Sequence, residues 1–131
     1  MNRWTTSRTA VFNLSYHVIW CPKYRRPVLT EDVQTRMLQL LHEKALELNV
    51  EIVEANILPD HVHLFIRTKP IHSPQFVIGQ LKGYTSRILR IEFPKLKSRL
   101  PTLWTRSYYI DSVGKLNEHT IRKYVQEQKN K

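Results

Sequence analysis

His61 and His63 stand one residue apart in the run Asp60-His61-Val62-His63-Leu64-Phe65-Ile66, and far downstream Tyr124 and Gln128 stand four apart. Residues two apart on a strand project in the same direction, so the imidazoles would share a face while Val62, Leu64 and Ile66 form an apolar stripe on the other. Residues four apart on a helix lie one turn from each other. A helix docked over the strand would then bring a phenol and an amide to the histidines together, which has the look of a metal site beside a nucleophile. Two imidazoles and an amide oxygen are a neutral ligand set, leaving the full charge of a divalent cation to act on a substrate. That suits a phosphodiester, whose nonbridging oxygens can be polarised by a Lewis acid with open positions. Mixed nitrogen and oxygen ligands suit Mn2+, with Mg2+ accommodated through retained waters. Tyr124 would attack phosphorus and conserve the bond energy as a phosphotyrosine. A phenol has an unperturbed pKa near about 10, and the sequence does not identify the base that would activate it.

Each residue also has an ordinary structural explanation. Two histidines in a strand can be plain sheet residues, Tyr124 can be an amphipathic core residue beside Ile121 and Val125, and Gln128 a solvated one. Asp60 could orient an imidazole from outside the ligand set, or simply make a Pro-Asp turn with Pro59. Two rival phosphate chemistries fail on the residues themselves. A histidine-triad hydrolase needs a further histidine where Phe65 stands, and two-histidine phosphoesterases need a repeated His-x-Thr or His-x-Ser, whereas His63 is followed by Leu64 and Phe65.

The elements that must position these groups are legible in the apolar spacing. Val11 to Cys21 alternates, with Phe12, Leu14, Tyr16, Val18 and Trp20 on one face, and predicts a first strand. A basic loop bounded by Pro22 and Pro27 follows. Thr30 with Glu31 and Asp32 then starts a helix whose apolar face is Val33, Met37, Leu40, Leu41, Ala45 and Leu48. Val50 to Leu58 and His61 to Thr68 predict an antiparallel hairpin turning at Pro59-Asp60. Ser73 and Pro74 open a second helix with Phe76, Val77, Leu81, Tyr84, Ile88 and Ile91 as its buried stripe. Leu103 to Ser112 predicts a fourth strand, and Asn117 caps a last helix to about Gln128. The order βαββαβα is that of an α+β, ferredoxin-like (RRM-like) domain, an antiparallel sheet with helices on one face and a C-terminal tyrosine helix. In that plan the first and third strands are central neighbours, which brings His17 toward His61 and His63.

The chain of 131 residues is the usual size of one domain, taken as 1–131. It has no stretch apolar enough to cross a membrane and no apolar segment resembling a secretory signal, so the expectation is a cytoplasmic protein. Cys21 is the single cysteine, which excludes an intrachain disulfide and a four-cysteine zinc site. Lys and Arg number 21 against 11 Asp and Glu, a formal charge of +10 that calls for a polyanionic partner.

Taken together these segments resemble the single-tyrosine HUH transposases of bacterial and archaeal insertion sequences, the TnpA type. Tyr16-His17-Val18-Ile19-Trp20-Cys21-Pro22-Lys23-Tyr24-Arg25 is similar to that family's opening strand, and Pro59-Asp60-His61-Val62-His63-Leu64 to its histidine-hydrophobic-histidine motif. Leu81 to Arg87 resembles its second helix, Leu103 to Tyr109 its fourth strand, and Tyr124-Val125-Gln126-Glu127-Gln128 its tyrosine helix. The resemblance implies that His61, His63 and Gln128 hold a divalent metal (Mg2+ or Mn2+) and that Tyr124 forms a 5′-phosphotyrosine, releasing a 3′-hydroxyl. It implies single-stranded DNA carrying hairpins at the element's ends as substrate. It also implies a homodimer in which the tyrosine helix completes the partner's site, with 113–116 as the hinge. A domesticated repeat-associated tyrosine transposase would share all of this chemistry.

Phosphate contacts are expected from Lys82, Arg87 and Arg90 on the second helix and from Lys23, Arg25 and Arg26 in the first loop. The competing reading from another class is a non-catalytic RNA- or single-strand-binding module of the same RRM-like fold. Such a module needs exposed aromatic residues on its central strands, where this chain offers His61, His63 and Phe65.

Overall fold

The structure, a computed structural model, describes residues 14–112 together with the backbone of Thr5–Thr6 and Val11–Phe12. The predicted tyrosine helix, with Tyr124 and Gln128, and the hinge at Gly114 lie outside the described residues. Elements run β1 (Thr5–Thr6), β2 (Val11–Phe12), β3 (Ser15–Trp20), α1 (Glu31–Leu48), β4 (Glu51–Leu58), β5 (His61–Arg67), α2 (Pro74–Glu92), α3 (Pro94–Arg99) and β6 (Tyr109–Ser112). The main sheet has the order β4-β5-β3-β6 with every neighbour antiparallel, so β3 and β5 are central, as the ferredoxin-like plan requires.

One face of the sheet is covered. Val18, Trp20, Val62, Leu64 and Ile66 point to the helices and are buried with Val33, Met37, Leu40, Leu41 and Ala45 of α1 and Val77, Ile78, Leu81 and Leu89 of α2. Every residue of the expected α1 face is buried. That helix begins after an extended Thr30 with Glu31 and Asp32 in its first turn, where acids favour the positive helix end. It ends on Asn49 in the left-handed region at φ 58°, whose N–H closes on Ala45 and Leu46 carbonyls. At the start of α2 the Ser73 hydroxyl accepts from Phe76 N–H at 3.1 Å.

Four expectations need correction. The first strand is not continuous from Val11: β2 pairs with β1 in a separate two-stranded sheet, and the central strand is Ser15–Trp20. In α2 the stripe is rotated. Phe76 and Ile91 are 44% and 71% exposed, while Ile78, Thr85 and Leu89 are buried in their place. Phe76 stacks on His72 instead, with ring centroids 5.1 Å apart. A third short helix, Pro94–Arg99, follows α2 and seats Leu96 in the core.

The fourth strand is the last correction, since it covers only Tyr109–Ser112. Leu103 and Trp104 are buried outside it, because the Trp104 indole N–H reaches back to α2, 3.1 Å from the Lys82 carbonyl and 3.2 Å from the Thr85 hydroxyl. The Trp104 ring also meets Trp20 edge-on at 5.9 Å. The half-buried Lys82 ammonium then gathers the carbonyls of Thr105, Arg106 and Ser107 at 2.7, 3.5 and 3.2 Å, and the chain joins the sheet only afterwards.

Candidate active site

The second face of the sheet carries no helix among the described residues, and the chemistry collects there. Alternation along β5 sends His61, His63 and Phe65 to this face as it sends Val62, Leu64 and Ile66 to the core. Register supplies their neighbours: Asn56 of β4 and Ile19 of β3 flank His63, Leu58 flanks His61, and His17 lies between Phe65 and Asp111 of β6. His17 therefore arrives beside the histidine pair, as the central placement of β3 and β5 implied.

His61 is held from the turn before it. Its Nδ1 lies 2.9 Å from Asp60 Oδ1, and the second carboxylate oxygen accepts from Arg25 Nε at 3.1 Å. The hydrogen bond from His61, with the Arg25 guanidinium adding its charge, holds the Asp60 carboxyl below the usual carboxylate range. A carboxylate on one ring nitrogen fixes the ring's orientation and leaves Nε2 as the outward donor, an arrangement that suits a metal-binding histidine. Arg25 reaches Asp60 from a turn in which Tyr24 and Arg25 both adopt positive φ, 59° and 50°. Non-glycine residues in that region cost about 1–3 kcal/mol each.

His63 is placed differently. Its Nε2 lies 3.4 Å from Nδ1 of His17, whose ring packs on Phe65 with centroids 4.9 Å apart. The donor set fits a divalent cation in kind: two imidazoles on one face, one with an orienting carboxylate. Among the described residues no group of three or more His, Cys, Asp and Glu side chains converges to complete it.

The expected phosphate contacts divide. Arg26 and Arg99 line one cleft beside Pro27 and Leu100, and Arg87, Arg90 and Lys97 line another beside Ile91 and Pro94. Lys23 and Arg87 lie over the rings of Tyr24 and Tyr84 at 5.4 and 5.8 Å. Lys82 spends its donors on the loop carbonyls already described, and burial lowers its pKa. Arg90 donates to the carbonyls of Leu100 and Pro101. The sequence reading missed Lys97 and Arg99, because α3 was not anticipated. It also missed the Arg25 link to Asp60, which depends on a turn conformation that no residue type there announces.

Residues 10–128 match the family described as IS200-like transposases. The chain belongs to that family. It is 34% identical over 126 residues to the ISDra2 transposase TnpA of Deinococcus radiodurans, covering 95% of this chain and 90% of the relative. It is 34% identical over 119 residues to the transposase for insertion sequence element IS200 of Salmonella typhimurium, covering 89% of this chain and 78% of that one. Among solved structures, a crystal structure from Deinococcus radiodurans R1 assigned as a transposase superimposes with a TM-score of 0.78 at 32% identity, over 95% of this chain and 97% of the other. A REP-associated tyrosine transposase bound to a REP hairpin shares the fold, with a TM-score of 0.57 at 14% identity over 96% of this chain and 73% of that one. The α+β architecture and the function class of this IS200-like transposase thus agree with the sequence reading. No helix among its described residues is long and apolar enough to cross a membrane.

Proposed function

We propose that this IS200-like transposase cleaves and rejoins single-stranded DNA at the ends of an insertion sequence through a covalent bond to Tyr124. The observation that carries the reading is the pair His61 and His63 on the open face, with His61 tied through Nδ1 to Asp60. His61, His63 and Gln128 would hold Mg2+ or Mn2+. When bound, that cation supplies Lewis-acid stabilisation of charge on the nonbridging oxygens. The phenolic oxygen of Tyr124 attacks phosphorus, the bond to the 3′ oxygen breaks, and the products are a 5′-phosphotyrosine and a free 3′-hydroxyl. Attack by another 3′-hydroxyl on that phosphotyrosine restores a phosphodiester and frees the tyrosine, so no external energy source is consumed. Hairpins at the element's ends would be the duplex partner, supported by the REP hairpin in the structure of the distant relative. A homodimer in which each tyrosine helix serves the partner's histidines is part of the same proposal.

Purified protein incubated with labelled single-stranded DNA from the flanks of its own gene, with and without Mn2+, should give a slower covalent band on a denaturing gel. Tyr124→Phe should remove the band and keep hairpin binding. An adduct that persists in Tyr124→Phe would overturn the nucleophile, and binding with no adduct in any metal would favour a non-catalytic binding module.

A further inference from the structure

The cleavage chemistry makes no use of the far side of the open face, where β6 stands last in the sheet order. Val18 and Ile110 are paired across β3 and β6 and both pack on the core. Their neighbours therefore turn to the open face, Ile19 opposite Tyr109 and His17 opposite Asp111. Two rows of side chains then cross all four strands. One runs Asn56, His63, Ile19, Tyr109, and the other Glu54, Phe65, His17, Asp111. The second row has a carboxylate at each end, whereas the first has none and ends on a ring that is 58% exposed. The adjacent Tyr108 is spent elsewhere, packed against the core with the Lys82 ammonium 5.7 Å from its ring centroid.

A phosphodiester held at His61 and His63 belongs to a strand that must leave across this face. Carboxylates repel its phosphates. On the β4 side Glu54 accepts from Asn56 at 3.3 Å, which brings its charge into the His63 row at that end. The exit over Ile19 and Tyr109 meets no acid in its own row, and Arg106, exposed in the loop that enters β6, adds a cation at the Tyr109 end of that strand. Tyr109 lies two strand spacings from His63, about 9–10 Å, within reach of the nucleotides next to the scissile phosphate. We propose that Tyr109 is a stacking platform for an unpaired base beside that phosphate, so that the DNA runs from His63 over Ile19 to the edge of the sheet. The inference rests on the reading of the open face as the cleavage site and adds a base contact to it. Every base has a face that can stack on an aromatic ring, so Tyr109 would hold the strand without reading its sequence.

The test uses the full chain, EDTA to hold off cleavage, and two oligonucleotides from the flanks of its own gene: a hairpin with its single-stranded extension, and the same hairpin cut blunt. Kd for the extended hairpin should rise about 5–150-fold in Tyr109→Ala, the equivalent of about 1–3 kcal/mol for one stacked base, while Kd for the blunt hairpin moves less than about twofold. Tyr109→Trp, which keeps a ring, should bind both as the natural protein does. Iodouracil photocrosslinks to aromatic rings stacked on it; placed in turn along the extension, it should crosslink to Tyr109 from a position next to the cleavage point. That crosslink is read in the natural protein, so it decides the matter even if Tyr109→Ala does not fold. An unchanged Kd for the extended hairpin, a loss shared equally by both oligonucleotides, or crosslinks that all map away from Tyr109 would each overturn the proposal. So would a Tyr109→Ala protein that sediments as a single chain where the natural protein does not, since Tyr109 would then serve a contact between copies. The Mn2+-dependent Tyr124 adduct is scored separately. An intact adduct without the Tyr109 crosslink defeats this inference alone, and the crosslink without an adduct in any metal defeats the cleavage reading alone.

Discussion

Replacing Asp60 tests whether the turn before β5 prepares His61 for a cation. Asp60 has two tasks, Oδ1 at 2.9 Å from His61 Nδ1 and Oδ2 at 3.1 Å from Arg25 Nε. Partners that orient a metal-binding histidine are worth about 10–100-fold in metal affinity, or about 1.4–2.7 kcal/mol at 1.36 kcal/mol per decade. Asp60→Ala removes both contacts and should fall near the hundredfold end. Asp60→Asn keeps one acceptor but presents an NH2 either to the Arg25 guanidinium or to the His61 N–H. It therefore loses one contact and the charge, and should fall near tenfold. Arg25 is 70% exposed, so Arg25→Ala removes a solvated ion pair worth about 0.2–1 kcal/mol and should weaken binding less than either. The free Mn2+ signal in electron paramagnetic resonance gives all three constants, and thermal unfolding checks that each variant is folded. Equal losses for Arg25→Ala and Asp60→Ala, or no loss in Asp60→Ala, would refute the reasoning.

Three other expectations concern separate parts of the molecule. Lys82→Met keeps the aliphatic stem but leaves the 105–107 carbonyls without their ammonium, and should destabilise by about 1–2 kcal/mol in urea unfolding; Arg87→Ala should change stability by less than about 0.5 kcal/mol. Asp60 is held low by its hydrogen bond from His61 and Glu92 by its bond from Arg36. Their folded values lie below the unfolded ones near about 4, so this stability is complete above that pH and is lost as pH falls through the folded values. Unfolding free energy should decline below about pH 4, and Arg36→Gln should flatten part of the decline. Removing Arg26 and Arg99 together should reduce the slope of log K against log salt for DNA by about 1.4–1.8, at about 0.7–0.9 per phosphate contact; an unchanged slope would remove this cleft from the DNA path.

The α1 face and the hairpin were readable because their side chains answer to one partner each, the sheet for the helix and the helices for the strands. Phe76 and Ile91 were misread because both sit at the ends of α2: Phe76 stacks on His72 instead of the core, and Ile91 lines an open cleft where it stays 71% exposed. The fourth strand was read too long because Trp104 has strand-like character, yet its N–H is satisfied by α2 and not by the ladder. At the site, the shared face of His61 and His63 follows from alternation alone. Proximity of His17 required the strand order, and the contact of Arg25 with Asp60 required a backbone conformation that propensity disfavours. Tyr124 and Gln128 lie outside the described residues, and their roles remain the family's implication.

The two positive-φ residues at the basic turn divide tolerance to mutation from fitness for function. Glycine suits both backbones best and β-branched residues worst. A library randomised at positions 24 and 25 and selected for folding alone should drift toward Gly, Asn and Asp. Selected for activity, position 25 should be pulled back to arginine by Asp60 while position 24 stays free to relax. The same turn would thus yield two different consensus sequences, and their divergence would record how much strain the molecule carries on behalf of one guanidinium.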